Sequence, residues 1–211
     1  HDVTGPEARV AIASADLAAE WAKADAALPE AQRLQHLVVT EFTDAFDPVQ
    51  AQQELTFPPL WKDWLLAQHP LPTLASGQVH RWTEALACTD AAPPHEVGPD
   101  DLAVLPYTSG TTGLPKGCIH PHRTIMHNAV ASGLWGGNCS ETVSLAVVPM
   151  FHITGMVVGM HGGIYHGATM VIMPRWDRDV AGQLISCHRV THWANIPTMV
   201  IDLLASPHFD R

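Results

Sequence analysis

From Leu102 to Pro174 the only residues of full formal charge are Lys116, Arg123 and Glu141. A stretch so poor in charge is mostly interior, and any ion kept in it needs a reason, because burying an unpaired charge is costly. Lys116 is also the only lysine after Lys62. The preceding part is different: residues 1–101 hold 16 acidic and 5 basic side chains, against 5 and 6 in residues 102–211. The acidic half reads as a solvated face. A net charge of −10 argues against binding the backbone of nucleic acid. No window approaches eighteen uninterrupted apolar residues, so no membrane span is expected. The opening HDVTGPEARV lacks the basic-then-apolar profile of a secretory signal, and His1 at the start marks the chain as processed or excerpted. Cys88, Cys118, Cys139 and Cys187 lie far apart and read as reduced thiols, in keeping with a cytoplasmic protein.

Apolar runs alternate with segments of helical period. Arg9–Ser14, His36–Thr40, Leu102–Pro106, Val143–Val148, Thr169–Met173 and His192–Ile196 read as strands. Helices are expected at 17–28, with Asp16 as N-cap and Pro29 as stop, and at 60–68, 77–88, 124–134, 179–188 and 198–205. Residues 42–59 read as a surface connection. Continuous apolar strands separated by helices predict an α/β fold, a largely parallel sheet flanked by helices. The proline-rich segment 90–101 divides the chain into an α/β segment at 1–89, a linker, and a second α/β segment at 102–211. With 46% hydrophobic and 15% charged residues there is enough apolar material for a sizeable core.

The chemistry concentrates in Tyr107–Gly117, YTSGTTGLPKG, directly after an apolar strand. Glycines let the backbone curl so that its N–H groups approach an anion. Thr108, Ser109, Thr111 and Thr112 can donate hydroxyl hydrogen bonds to phosphate oxygens, and Lys116 adds a mobile positive charge. The set suits the phosphates of a nucleotide. It is not a Walker A loop, since the GxxxxGK[ST] order is absent. A flexible surface turn is the competing reading, but such turns rarely combine a lone lysine with so many hydroxyls inside a charge-free segment. His120 and His122 form an HxH pair, with His152, His161 and His166 downstream, yet no cysteine or carboxylate supplies the other half of a metal site. Met150, Met156, Met160, Met170 and Met173 suit either an acyl tunnel or ordinary core packing.

The string TSGTTGLPKG resembles the phosphate-binding signature of the adenylate-forming superfamily, which includes acyl-CoA synthetases, aryl-CoA ligases, luciferases and peptide-synthetase adenylation domains. VPMFHITG at 148–155 resembles the motif that follows it in the fatty-acyl and aryl-CoA ligase branch. TMVIMPR at 169–175 and NIPTM at 195–199 resemble the later strand with its basic position and the turn beside the acyl pocket. The resemblance implies that a carboxylate, a fatty or aryl acid, attacks ATP to form an acyl-adenylate with magnesium, and that coenzyme A then displaces AMP. It implies that Thr108, Ser109, Gly110, Thr111, Thr112, Gly113 and Lys116 hold the triphosphate, with Lys116 acting in catalysis. His152 would border the acyl-adenylate and gate the acyl tunnel, Thr154 would line the pocket near the carboxylate, and Arg175 would lie near the coenzyme A phosphates. No metal-ligating residue is assigned.

Several parts of that family pattern are missing. There is no aromatic-Gly-x-Thr-Glu motif, no TGD segment for the ribose, and no C-terminal domain with its hinge and catalytic lysine. The chain therefore reads as an excerpt from the N-terminal domain of a longer ligase, inactive alone, whose missing partner is the remainder of its own polypeptide. Two other functions fit: an adenylation domain that loads a carrier-protein thiol, and a nucleotide-binding remnant without catalysis.

Overall fold

The computed structural model describes residues 8–45, 59–108 and 115–207. The chain divides into two compact units, His1–Pro94 and His95–Arg211, and the division falls inside the proline-rich segment 90–101.

In the first unit, β1 (Val10–Ser14) leads directly into α1 (Ala15–Ala26), and β2 (His36–Thr40) lies parallel to β1 with Val10 beside His36 and Ser14 beside Thr40. The N-cap of α1 is Ser14, in extended backbone; Asp16, expected there, sits inside the first turn, hydrogen-bonded by the Ser14 hydroxyl. After α2 (Pro59–Leu65) comes the main departure from the expected elements. The helix predicted over 77–88 is instead β3 (Gln78–Arg81), parallel to β2, followed by the short α3 (Trp82–Leu86). Residues 78–81 gain ladder hydrogen bonds by joining β2, and that tertiary pairing overrides local period. Gly77 makes the approach possible, because a Cβ there would lie 2.5 Å from the Leu34 carbonyl oxygen. β1 and β2 bury Ala11, Ala13, Leu37 and Val39 against Ala15 and Ala18 of α1, with Leu34 and Leu74 completing the core and Val79 of β3 packed against it. Asp25, fully buried on α1, accepts from the Leu34 backbone N–H at 2.7 Å and so ties the end of the helix to the chain entering β2.

The second unit starts with an antiparallel ribbon. β4 (Leu102–Val104) pairs with β7 (His120–Pro121), and β5 (Tyr107–Thr108) pairs with β6 (Lys116–Gly117). Leu102–Pro106 was expected as a buried strand, but β4 stops at Val104 and Leu102 is 56% exposed, because the chain doubles back on itself. α4 (His122–Gly136) follows and stops at Gly137, whose φ of 70° lies in the left-handed region that glycine tolerates without strain. Next come β8 (Val143–Ala146), a π-helical segment Gly155–His161 continuing into α5 (Gly162–His166), β9 (Thr169–Ile172), α6 (Arg178–His188), β10 (His192–Trp193) and α7 (Pro197–Leu204). β8 is the central strand of a parallel sheet in the order β10-β8-β9. Ile125 and Ala129 of α4 pack on Val157 of the π segment, giving this unit a core of its own. The chain is thus an α/β protein whose two three-stranded sheets are both parallel.

Candidate active site

The ribbon explains how a glycine-rich loop is presented. Residues 102–108 run out and 116–121 run back, held by the two short ladders and by the Cys118 N–H donating to the Pro106 carbonyl at 2.9 Å. Its base is anchored where the Arg123 N–H donates to the Pro99 carbonyl (2.9 Å), the His122 N–H to the Asp101 carbonyl (3.1 Å), and the Arg123 guanidinium pairs with Asp100. His122 and Arg123 therefore have a structural use. Ser109, Gly110, Thr111, Thr112 and Gly113, which follow Thr108 in sequence, lie outside the described residues.

Thr108 and Lys116 are register partners in the β5/β6 pair. Residues directly opposite in an antiparallel pair project to the same side, with Cα atoms roughly 5 Å apart. Both are exposed, so a hydroxyl and an ammonium leave the ribbon together. Gly117 packs the ribbon tightly beneath them, since a Cβ there would meet the Leu105 side chain at 3.2 Å.

A second feature comes from topology. From β8 the chain passes through the π segment and α5 to β9 on one side. It then returns through α6 to β10 on the other side. Connections leaving adjacent strands in opposite directions open a crevice at the strand carboxyl ends, the usual ligand position in open parallel sheets. A cavity of about 170 Å³ occupies this place. Leu145, Val147 and Val148 line it from β8 and beyond, Trp193 from β10 and Ala194 just after it, and Thr154, Val158 and Gly159 from the facing helical segment. No residue of β9 contributes. The π turn is itself unusual, because such turns occur mostly as short insertions near functional sites. Gly155 brings it close: a Cβ there would stand 2.2 Å from the Pro149 carbonyl oxygen.

Of the residues expected at the acyl pocket, Thr154 lines this cavity and His152 does not. The two are linked, since the Thr154 backbone N–H donates to Nδ1 of His152 at 3.2 Å. In the neutral ring the proton then resides on Nε2. His152 is exposed at the turn that enters the helical segment, where its own N–H donates to the Pro149 carbonyl at 3.0 Å. Arg175 follows β9, on the far side of β8 from the cavity, and its side chain is exposed. None of the five methionines considered for an acyl tunnel lines the cavity. Met173 is buried core instead, and Met170 packs on Gly163.

Sequence reasoning missed the far wall. Ser132, Asn138, Ser144 and His192 line it, and Trp193 is stacked on Trp176 with ring centroids 5.5 Å apart. The Trp176 indole N–H donates to Asp202 of α7 at 2.8 Å, which holds that stack in place. None of these belongs to a motif; a polar Ser144 within the otherwise apolar VSLAVV was the available signal. Among the described residues, no group of three or more His, Cys, Asp or Glu side chains could hold a metal ion. No described helix is long and apolar enough to cross a membrane.

A family model described as "AMP-binding enzyme" matches residues 4–211. Among curated proteins, 4-coumarate–CoA ligase 3 of Oryza sativa subsp. japonica is 35% identical over 129 residues, covering 59% of this chain and 23% of that protein. A long-chain-fatty-acid–CoA ligase of Bacillus subtilis (strain 168) is 34% identical over 143 residues, covering 65% and 25%. The chain spans about a quarter of the length of these curated relatives. Among solved structures, the O-succinylbenzoate coenzyme A synthetase MenE of Bacillus subtilis, in complex with ATP and magnesium ion, aligns with a TM-score of 0.58 at 23% identity, over 84% of this chain and 32% of that one. That likeness concerns the fold.

Proposed function

Because the chain belongs to the AMP-binding enzyme family, we propose that it forms the triphosphate- and acid-binding part of an ATP-dependent carboxylate–CoA ligase. The observation that carries this reading is the ribbon that sets Thr108 opposite Lys116 at the foot of the glycine- and hydroxyl-rich loop. It supplies what a departing pyrophosphate needs: oriented donors and one cation.

In the first step a carboxylate oxygen of the acid attacks the α-phosphorus of ATP. The bond from that phosphorus to the bridging oxygen breaks, and pyrophosphate leaves with the electron pair. Negative charge grows on the leaving group, so the Lys116 ammonium and the Thr108 hydroxyl stabilise the transition state more than the ground state. Ser109, Thr111 and Thr112, with the N–H groups around Gly110 and Gly113, would extend this cradle. In the second step the sulfur of coenzyme A attacks the acyl carbon, its proton passes to solvent, and AMP departs. Thr154 would meet the reacting carboxylate at the mouth of the β8/β10 cavity. His152, fixed at its Nδ1, would border the adenylate, and Arg175 would attract the coenzyme A phosphates. Among the described residues no His, Cys, Asp or Glu cluster could cage a metal ion, so magnesium would be held mainly by the triphosphate oxygens and water.

The test is acid-dependent exchange of labelled pyrophosphate into ATP, measured on the complete reading frame that contains this chain. Lys116→Ala is expected to lower the exchange rate by about 100-fold, the scale of losing one charge-stabilising donor. Its thermal unfolding should be unchanged, because the side chain is exposed. Wild-type exchange in this variant would remove Lys116 from the mechanism.

A further inference from the structure

One wall of the β8/β10 cavity is held from behind. Trp193 lines the cavity from β10, beside its register partner Leu145. Its indole Nε1 is buried and has no hydrogen-bond partner among the described residues. That N–H is the only polar handle an indole has, so among these residues packing alone orients the ring. Trp176 packs on it, stacked with the two ring planes 9° apart. Unlike Trp193, Trp176 is anchored by a polar contact. Its indole N–H donates to Oδ2 of Asp202 at 2.8 Å, and Oδ1 of the same carboxylate lies 3.4 Å from Nη1 of Arg178. Trp176 follows β9 whereas Trp193 belongs to β10, and these strands flank β8 on opposite sides. The stack therefore ties the two edge strands together across the central one. Trp176, Arg178 and Asp202 themselves do not line the cavity.

Resting on the reading of this cavity as the acid site, we infer that Trp176 and Asp202 are positioning residues: they act through Trp193, whose ring they hold in place in the cavity wall. Asp202 fixes Trp176 by accepting its N–H, Arg178 steadies the carboxylate, and the stack passes that order to the one ring of the set that meets the ligand. Losing either the stack or the hydrogen bond that orients it frees the Trp193 ring to turn. Trp193 is wall and not part of the reacting centre, so its misplacement weakens the acid complex and the transition state alike. Such a loss raises KM for the acid and leaves kcat unchanged. The ATP-binding ribbon shares none of these contacts, so KM for ATP stays the same.

The experiment is pyrophosphate exchange on the complete reading frame, using the acid that the unsubstituted protein takes best from a panel of straight-chain, benzoic and cinnamic acids. In Trp176→Ala and Asp202→Ala, KM for the acid is expected to rise about five- to tenfold, the scale of one lost aromatic pair or one lost hydrogen bond to a charged group. In both, kcat and KM for ATP should stay within about twofold of the unsubstituted values. Trp176→Phe, which keeps a ring to stack but has no N–H to donate, should show a smaller rise. Asp202→Asn, which keeps an acceptor oxygen, should restore an acid KM close to the unsubstituted one. A merely structural role would reduce the folded fraction, which scales the maximal rate and moves neither KM. If Trp176→Ala yields no folded protein, the two Asp202 variants decide the question. An unchanged acid KM in the alanine variants, or a KM for ATP that rises as far as that for the acid, overturns the inference while leaving the ligase reading intact. Asp202→Asn as impaired as Asp202→Ala overturns the role given to the Trp176–Asp202 hydrogen bond. Absence of exchange by the unsubstituted protein with every acid overturns the ligase reading, and this inference falls with it.

Discussion

Gly155 and Gly159, one helical turn apart on the π segment, show how single positions shape the site. A Cβ at Gly155 would stand 2.2 Å from the Pro149 carbonyl oxygen and 2.5 Å from that of Val148, both backbone atoms that cannot swing away. At Gly159 nothing lies within 4 Å, because the position borders the cavity. Gly155→Ala is therefore expected to destabilise by about 1–3 kcal/mol through overpacking, despite alanine's better helix propensity. Gly159→Ala should be neutral, or stabilising by up to about 1 kcal/mol. Urea denaturation of both variants checks this, and equal effects would show that the contact at Gly155 does not constrain the turn. The same contrast explains which site residues were legible. Lys116 stands out because it is the one lysine in a stretch almost without charge. Asn138 and Ser144 are ordinary in sequence, and they acquire meaning when β8 and the end of α4 bring them to one wall.

Among the elements, α6 was expected at 179–188 and forms at Arg178–His188, with Asp177 supplying its N-cap. Asp177 takes extended backbone, and its Oδ1 accepts from the N–H groups of Asp179 at 3.0 Å and Val180 at 3.1 Å. Asp177→Ala should cost about 1 kcal/mol of stability, measured as a lower urea midpoint at unchanged slope. Asp177→Asn, which keeps an oxygen acceptor, should recover most of it; a loss equal to that of alanine would mean that the cap bonds contribute nothing. The elements misjudged from sequence are those whose form depends on distant neighbours. β3 is a strand because β2 offers it a ladder, with Leu37 beside Val79, and Gly77 lets the two backbones meet. β4 pairs with β7, and β5 with β6, antiparallel, whereas an apolar run such as LAVLP carries no signal of strand direction. The helical stretch after Ile153 was overlooked since its glycines, read locally, suggest a turn.

The molecule as a whole is two units joined through an exposed segment. Every residue from Thr83 to Val97 is exposed, and none between Ala87 and Val97 belongs to a helix or strand. A broad-specificity protease at low ratio is expected to cut first between Ala87 and Val97, giving fragments assignable by intact mass; first cuts inside α1 or α4 would contradict that division. Other properties followed directly from the order of residue types. Apolar runs alternating with helical periods predict parallel strands with crossover helices, and both three-stranded sheets are parallel. The loop's glycines, hydroxyls and single lysine predict an anion; both patterns are local along the chain. The place of the β8/β10 cavity followed from neither. It arises because β8 became the middle strand, with its neighbours added on opposite sides, so the crevice at its end is a consequence of strand order. Strand order is settled by contacts between residues far apart in the chain, and no local pattern encodes it.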